Sequence, residues 1–210
     1  MHRAFCEITD PDEMARILES TQVGRLATID GQGYPYITPV NFVYYRSAVY
    51  FHGAPRGEKL DNLARDSRVC FEADVPLAYV SVDFNEAGNP CHTHQLYHSV
   101  VIRGRAGVLP DGDLKTIVLN ALVAKHEGHA GFRPITPDSP EYKACLVVEV
   151  KPERMTGKTD LAQNKPRDGR RREIAEHLAA RGLPGDLEAV REMGFEIEGD
   201  SASGRRLKPE

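Results

Sequence analysis

The chain has 210 residues, of which 40% are hydrophobic and 28% charged, with a net charge of −4. This length suits one domain with an appendage, and the composition favours a packed core over global disorder. The sequence has no basic excess of the kind nucleic-acid binders carry, no apolar run long enough to span a bilayer, and no apolar signal segment. We therefore expect a cytoplasmic protein that binds neither nucleic acid nor membranes.

The first part of the chain predicts one helix followed by β-strands. Residues 9–20 predict a short helix that Thr9 or Asp10 can cap, with Pro11 in its first turn. The strands predicted next are residues 23–30, 34–45 and 47–54. Pro35 and Pro39 cannot donate hydrogen bonds to a sheet, so residues 34–45 are expected at a sheet edge or bulged near Pro39. The short connection at residues 46–47 predicts a hairpin.

The rest of the chain continues in the same mixed pattern and then changes character. Helices are predicted at residues 55–66 and 113–126, and strands at residues 68–74, 77–84, 97–109 and 144–158. The Gly-Arg-Ala-Gly run at residues 104–107 predicts a bend or bulge. After residue 160 the chain is polar and charged, with two short amphipathic helix candidates at residues 173–182 and 186–195. We predict a domain at 1–160 and a charged, partly helical extension at 161–210.

These elements indicate the fold class. Six or more short antiparallel strands with few, separate helices predict an α+β, mainly β protein built as a barrel or sandwich. A Rossmann domain is disfavoured because no GxGxxG motif follows a strand.

The segment VYFHGAPRGEKLDNL, residues 49–63, carries the clearest chemical signal. A strand ends at His52, small residues follow, and a helix then begins that carries Lys59. Free backbone N–H groups at a helix N-terminus favour an anion, and Arg56 and Lys59 add positive charge. The segment therefore predicts a phosphate-binding cradle. The alternative is an ordinary strand-to-helix turn with two solvated cations.

Several short motifs, in this order, resemble a known family. They are Gly24–Thr28, Gly33–Pro35, Pro39–Val40, Tyr50–Gly53 followed by Gly57 and Lys59, Cys91, Tyr97–Val100, Gly104–Ala106 and Met155–Lys158. Together they resemble the FMN-binding split barrel of the pyridoxamine 5′-phosphate oxidase-like superfamily. The nearest branch is the flavin-nucleotide-binding one that includes nitroimidazole-resistance reductases. The resemblance covers roughly residues 8–160.

The resemblance implies a six-stranded antiparallel split β-barrel with accessory helices, forming a homodimer with FMN at its interface. It also implies the residues that bind the cofactor. The isoalloxazine ring would lie along the strand residues Thr38, Pro39, Val40 and Asn41. The phosphate would be held by His52, Gly53, Ala54, Arg56, Gly57 and Lys59. Tyr97 and Ser99 would face the flavin. His52 is the candidate catalytic residue because its ordinary pKa lets it donate a proton near neutral pH. Its alternative role is a hydrogen bond to phosphate or backbone.

The implied function is an FMN-dependent oxidoreductase acting on a small molecule, such as a nitroaromatic compound, with a reduced nicotinamide as electron donor. Pyridoxamine-phosphate oxidases resemble one another in a C-terminal segment with tryptophans and an Arg-Leu-His-Asp-Arg-like motif. This chain has no tryptophan and offers only GRRLK at residues 204–208, which argues against pyridoxamine 5′-phosphate as substrate. The alternatives are a flavin-binding or sensor module without turnover, and a haem-binding split barrel.

The segment CHTHQLYHS, residues 91–99, has the composition of a metal site. In an extended strand His92, His94 and His98 would share one face, while Tyr97 and Ser99 would share the other. A zinc site would need more ligands, from His98 or from the pair His126 and His129. No spacing enforces such a set, and no CxxC pair is present. We predict no metal, and histidines that face solvent or a subunit interface. The remaining alternative is proton delivery near the flavin.

Overall fold

The computed structural model describes residues 3–84, 88–128, 131–199 and 205–208, and these residues form a mixed fold that is mainly β. The helices are α1 (Pro11–Ser20), α2 (Glu58–Arg65), α3 (Asp113–Glu127), α4 (Pro140–Ala144), α5 (Arg172–Arg181) and α6 (Asp186–Glu192). The strands are β1 (Glu7–Ile8), β2 (Val23–Ile29), β3 (Pro35–Asn41), β4 (Val43–Tyr45), β5 (Ala48–Gly53), β6 (Arg68–Val80), β7 (His94–Val108), β8 (Leu146–Asp160), β9 (Ile197–Glu198) and β10 (Arg206–Leu207). The mainly β prediction is confirmed.

Within these residues, eight strands form one sheet in the order β3-β2-β6-β7-β8-β5-β4, with β1 paired to β8. The strand pairs with a defined register are antiparallel. The six strands implied by the resemblance are therefore too few. The predicted strand at residues 34–45 divides into β3 and β4, and β1 adds another. Conversely, the two strands predicted between residues 68 and 84 are the single strand β6, followed by a 3₁₀ turn at Val82–Phe84.

Strand β3 lies at the edge of the sheet, as its prolines predict. Its register with β2 is unbroken from Val23↔Asn41 to Ile29↔Pro35, and Pro39 pairs with Arg25. Of the two predicted alternatives, the sheet edge is therefore confirmed, and the register is not bulged near Pro39. The strand is instead interrupted at Phe42, between β3 and β4. The Phe42 ring is fully buried and packs edge-on against the Phe71 ring, with 4.9 Å between the ring centroids. Burial of this ring explains the interruption better than the missing proline N–H does.

The hairpin between β4 and β5 is confirmed. Arg46 and Ser47 connect the two strands with φ angles of 47° and 62°. Two central residues with positive φ make a two-residue turn whose twist matches that of the strands.

In β7, Gly104 serves close packing rather than a bulge. Buried and more exposed residues alternate regularly along β7 from Leu96 to Ala106. The alternation of faces is therefore unbroken where a bulge was predicted. A Cβ at Gly104 would lie 2.0 Å from the Lys151 carbonyl oxygen, whereas one at Gly107 would have no heavy atom within 4 Å. Gly104 is therefore required by the close approach of the β8 backbone.

Contacts divide the chain into two compact units, each with its own core. The first unit is Met1–Thr9, Asp74–Ser99 and Gly157–Glu210, and the second is Asp10–Ala73 and Val100–Thr156. In the first unit α5 and α6 contribute Leu178 and Val190 to a core that also holds Leu77 and Leu96. In the second, α3 packs Val118 and its neighbours against the buried face of β5. The predicted boundary at residue 160 stays a prediction. No helix in the described part of the chain is long and apolar enough to cross a membrane.

Candidate functional site

The edge strand β3 carries the four residues predicted to run past a flavin ring. Pro39 and Asn41 are exposed, Val40 is buried and Thr38 is half-buried. The Thr38 hydroxyl oxygen is buried and has no hydrogen-bond partner among the described residues. A buried hydroxyl without a partner is costly, so a ligand that bonded to it would remove that cost. Since β3 is at the sheet edge, its outer backbone groups are also available.

The strand-to-helix connection brings the second set of predicted residues together. Strand β5 is buried through Phe51 and emerges at His52, which is exposed. Gly57 is the N-cap of α2 with φ of 142°, and no side chain caps the helix. This φ favours glycine, and the uncapped first turn leaves backbone N–H groups free for an anion. Glu58 and Asp61 also lie in that turn, so nearby cations must supply much of any anion affinity.

Two cations at this connection have no carboxylate partner in the described residues. Arg56 is exposed, while Lys59 is half-buried with its ammonium 5.0 Å from the centre of the Phe51 ring. Burial lowers the pKa of Lys59. A Cβ at Gly53 would lie 3.8 Å from the Lys59 Nζ, so the glycine leaves space beside the ammonium. A desolvated ammonium without a counter-ion is a favourable contact for a phosphate.

Buried hydrogen bonds fix α2 against strand β2. The buried Asn62 donates from Nδ2 to the Thr28 hydroxyl at 3.1 Å, and Arg65 donates to Asn62 Oδ1 at 3.1 Å. Thr28 is fully buried. These bonds hold the start of α2 in place, and with it Gly57 and Lys59. No sequence pattern predicted this role of Asn62.

A cavity of about 390 Å³ joins Asn41 and His52, the polar ends of β3 and β5. It also brings in His126, from the last turn of α3, which the sequence suggested only as a possible metal ligand. The pKa of His126 is lowered, chiefly by burial and also by Lys125 and His52, while a backbone hydrogen bond with Phe42 and the charge of Glu127 oppose the shift. His126 is therefore mainly a neutral imidazole at pH 7.

Tyr97 and Ser99 lie in the first unit, on the same side of β7, and both are half-buried. Lys158 Nζ donates a short hydrogen bond to the Tyr97 hydroxyl. This bond is the main cause that raises the pKa of Lys158. Because the ammonium occupies a lone pair of the Tyr97 oxygen, the phenol proton remains free to donate to another group. The roles of Tyr97 and Ser99 towards a cofactor stay predictions.

The histidine-rich segment differs from its prediction. His92 belongs to a 3₁₀ turn, Pro90–His92, so it does not share a strand face with His94 and His98. His98 is 8% exposed, which corrects its expected position in solvent, and its Nε2 lies 3.7 Å from a Glu192 oxygen. His94 Nε2 is 2.9 Å from Asp160 Oδ1. No group of three or more potential metal ligands occurs in the residues the structure describes, and His129 lies outside them.

Comparison with known proteins decides the family. The sequence profile described as pyridoxamine 5′-phosphate oxidase matches residues 10–159. The chain belongs to this family. The match spans the predicted cradle, the edge strand β3 and both residues predicted on β7, and it confirms the family indicated by the sequence motifs. None of the curated proteins matches the chain.

Solved structures share the fold of this family member. A candidate 5-nitroimidazole antibiotic resistance protein from Bacteroides thetaiotaomicron is 24% identical with a TM-score of 0.60, covering 72% of this chain and 85% of its own. The FAD and haem binding protein from Mycobacterium smegmatis is 17% identical with a TM-score of 0.62, covering 93% and 87%. The flavocytochrome Anf3 from Azotobacter vinelandii is 19% identical with a TM-score of 0.61, covering 76% and 72%.

Proposed function

We propose that this protein is an FMN-dependent oxidoreductase that acts on a small molecule and takes electrons from a reduced nicotinamide. The observation that carries the proposal is the unpaired, desolvated ammonium of Lys59 beside Arg56, at the uncapped start of α2. Membership of the pyridoxamine 5′-phosphate oxidase family and the flavin-binding proteins among the similar structures support it. The split barrel, the homodimer and the cytoplasmic location remain parts of this proposal.

The residues present fit a phosphorylated cofactor with a polar planar ring. Arg56, Gly57 and Lys59 would hold the phosphate, with His52, Gly53 and Ala54 alongside. The orphaned Thr38 hydroxyl and the free edge of β3 would take the polar edge of the ring. Tyr97 and Ser99 would face the flavin from β7.

Bound FMN would supply the hydride chemistry, and the protein's own groups bind, orient and protonate. His52, the candidate catalytic residue, is exposed at the end of a buried strand. The phenol proton of Tyr97 is free to donate because Lys158 already bonds to the phenol oxygen. Positioning of reactants accounts for much of the rate enhancement that such a site can give.

Exposed apolar side chains on and beside β3 support the homodimer. Tyr34 and Ile37 are 68% and 62% exposed, and Val23, which pairs with Asn41, is also exposed. An exposed apolar patch on a sheet edge is typical of an interface. Light scattering after gel filtration tests this: a dimeric mass supports the proposal, and a monomer at all concentrations contradicts it.

The first experiment is the absorption spectrum of the purified protein, followed by stopped-flow mixing with NADH or NADPH. We expect flavin absorption bands, after purification or on addition of FMN, and bleaching of those bands on reduction. A protein that stays colourless and takes up no FMN would refute the proposal. Bound flavin that is never reduced would instead indicate a flavin-binding module without turnover. A Soret band would indicate haem, as in two of the similar structures.

A further inference from the structure

The cavity that contains His52 and His126 has a composition unlike that of the phosphate cradle. Its apolar wall comes mainly from α3, and its polar groups come from the ends of β3, β5 and α3 and from α4. The residues that line it are Asn41, His52, Leu119, Leu122, Val123, His126, Glu127, Ile135, Glu141 and Cys145. An apolar cavity of about 150 Å³ accepts benzene, so about 390 Å³ accommodates a molecule with one or two rings.

The charged side chains that line the cavity disfavour an anion. Its lining includes two carboxylates and neither lysine nor arginine. Glu141 is paired with Arg133 at 3.4 Å. Glu127 is exposed beside His126 and has no cation within ion-pair distance in the described parts of the chain. The cavity therefore presents one uncompensated carboxylate and imidazole groups, of which His126 is mainly neutral.

The hydrogen-bonding capacity of the cavity lining is mostly that of acceptors. The bond with Phe42 raises the pKa of His126, so its partner is the carbonyl oxygen and the ring donates. His126 Nε2 is buried and without a partner within the described ranges, which leaves Nδ1 as the donor and Nε2 as an acceptor. The Glu127 carboxylate and the Asn41 side-chain oxygen are further acceptors. An N–H donor on a ligand would satisfy the groups that are unpaired.

We propose that this cavity binds a small amine, with an apolar ring against α3 and a protonated nitrogen between His126 and Glu127. Glu127 sets the charge preference, and His126 orients the nitrogen. His52 belongs to both the cavity and the predicted cradle. As a statement of the substrate class of the proposed oxidoreductase, the amine inference therefore rests on the proposed function. Binding of the amine itself requires no flavin.

Three probes of matched shape and different charge test the proposal: benzylamine, benzyl alcohol and benzoate. Their affinities for the full chain are measured by calorimetry and ligand-observed NMR, with and without FMN. We expect benzylamine to bind about tenfold more tightly than benzoate, because the cavity offers a carboxylate and no cation. Equal or tighter binding of benzoate would overturn the proposal, as would the absence of binding by all three probes.

Two substitutions locate the amine in this cavity. Glu127→Gln should weaken benzylamine about tenfold and leave benzyl alcohol unchanged, whereas Glu141→Gln, whose carboxylate is already paired, should have a smaller effect. Val123→Phe should fill the cavity and abolish binding of both probes, with thermal melting as the check on folding. Benzylamine binding that none of these substitutions changes would refute the assignment.

The two proposals fail separately. If FMN binds and benzylamine does not, the cavity inference is wrong and the flavin proposal stands. If benzylamine binds at this cavity and FMN does not, the flavin proposal is wrong while the amine site stands.

Discussion

Residues 49–63 and residues 91–99 are both rich in ionisable side chains, but they use them in opposite ways. In the first segment Lys59 and Arg56 have no carboxylate partner among the described residues, and His52 opens onto a cavity. In the second, His94 is bonded to Asp160, and His98 is buried near Glu192.

The difference shows that composition alone does not identify a functional site. Buried polar groups are normally paired within the protein, so pairing with a carboxylate favours a structural role, while a cation without a carboxylate partner is open to an anionic ligand. The second segment is not fully paired, because His98 Nδ1 is buried without a partner among the described residues. Residues 91–99 have the composition of a metal site, yet two of their three histidines are next to carboxylates of the same unit. Substitutions in and around these two segments can break or sharpen this comparison.

The largest expected effect is on the paired side. Asp160 is 6% exposed, and Asp160→Ala removes the partner of His94 and a charge near Lys158. We expect the free energy of unfolding to fall by about 1–3 kcal/mol, as for other buried hydrogen-bonded charges. Urea denaturation measures it, with the exposed Asp138→Ala as control. Equal stability of the two variants would show that the histidine segment is not held by this pair.

Lys125 is an intermediate case, a half-buried cation that donates to the Leu18 carbonyl oxygen at 3.0 Å. Burial lowers its pKa from 10.5 to about 8, against a smaller opposing effect of Glu19. Between these values the unfolded chain binds more protons than the folded one, so the free energy of unfolding rises with pH. We expect a rise on the order of 1–3 kcal/mol between pH 8 and 10.

The substitution Lys125→Met should remove that rise, while Lys143→Met, at an exposed position, should keep it. Chemical denaturation at a series of pH values gives the comparison. A parallel pH dependence in the wild type and in Lys125→Met would contradict the assignment.

On the unpaired side, Lys59→Ala should weaken FMN binding by at least about 1 kcal/mol, roughly fivefold, because a charge-assisted phosphate contact is lost. The melting temperature should fall little, since among the described residues the ammonium has a ring contact with Phe51 but no counter-ion to lose. Fluorescence titration with FMN measures the affinity. Lys59→Arg should recover part of it, and Lys165→Ala, at an exposed position, serves as control. Unchanged affinity would remove Lys59 from the cradle.

The smallest effects separate two histidines of one segment. His94→Ala should lower the free energy of unfolding by about 1 kcal/mol, because the Asp160 carboxylate loses a partner. His92→Ala should change it by less than about 0.5 kcal/mol, because His92 is exposed in its 3₁₀ turn. Equal losses from both would mean that exposure and pairing do not distinguish them.

Local chemistry made much of the fold predictable. Asp10, one of the two residues predicted to cap α1, accepts a hydrogen bond from the Asp12 N–H at 2.9 Å. The prolines of β3 placed it at a sheet edge, and residues 49–63 gave the strand, the small residues and the helix that carry Lys59. In each case the signal lies within a few residues of the feature it predicts.

The sequence by itself determined the family, the order of most strands and helices, and the residues of the candidate cradle. Only the tertiary structure decided which ionisable groups are paired. The Asp160 partner of His94 is 66 residues away in sequence, and the α2 bond from Asn62 to Thr28 joins residues 34 apart. The same holds for the cavity, where α3 brings His126 towards His52. Hydrophobic periodicity specifies which face of a helix or strand is buried. It does not specify which residues that face contacts, because those contacts depend on how distant segments of the chain pack.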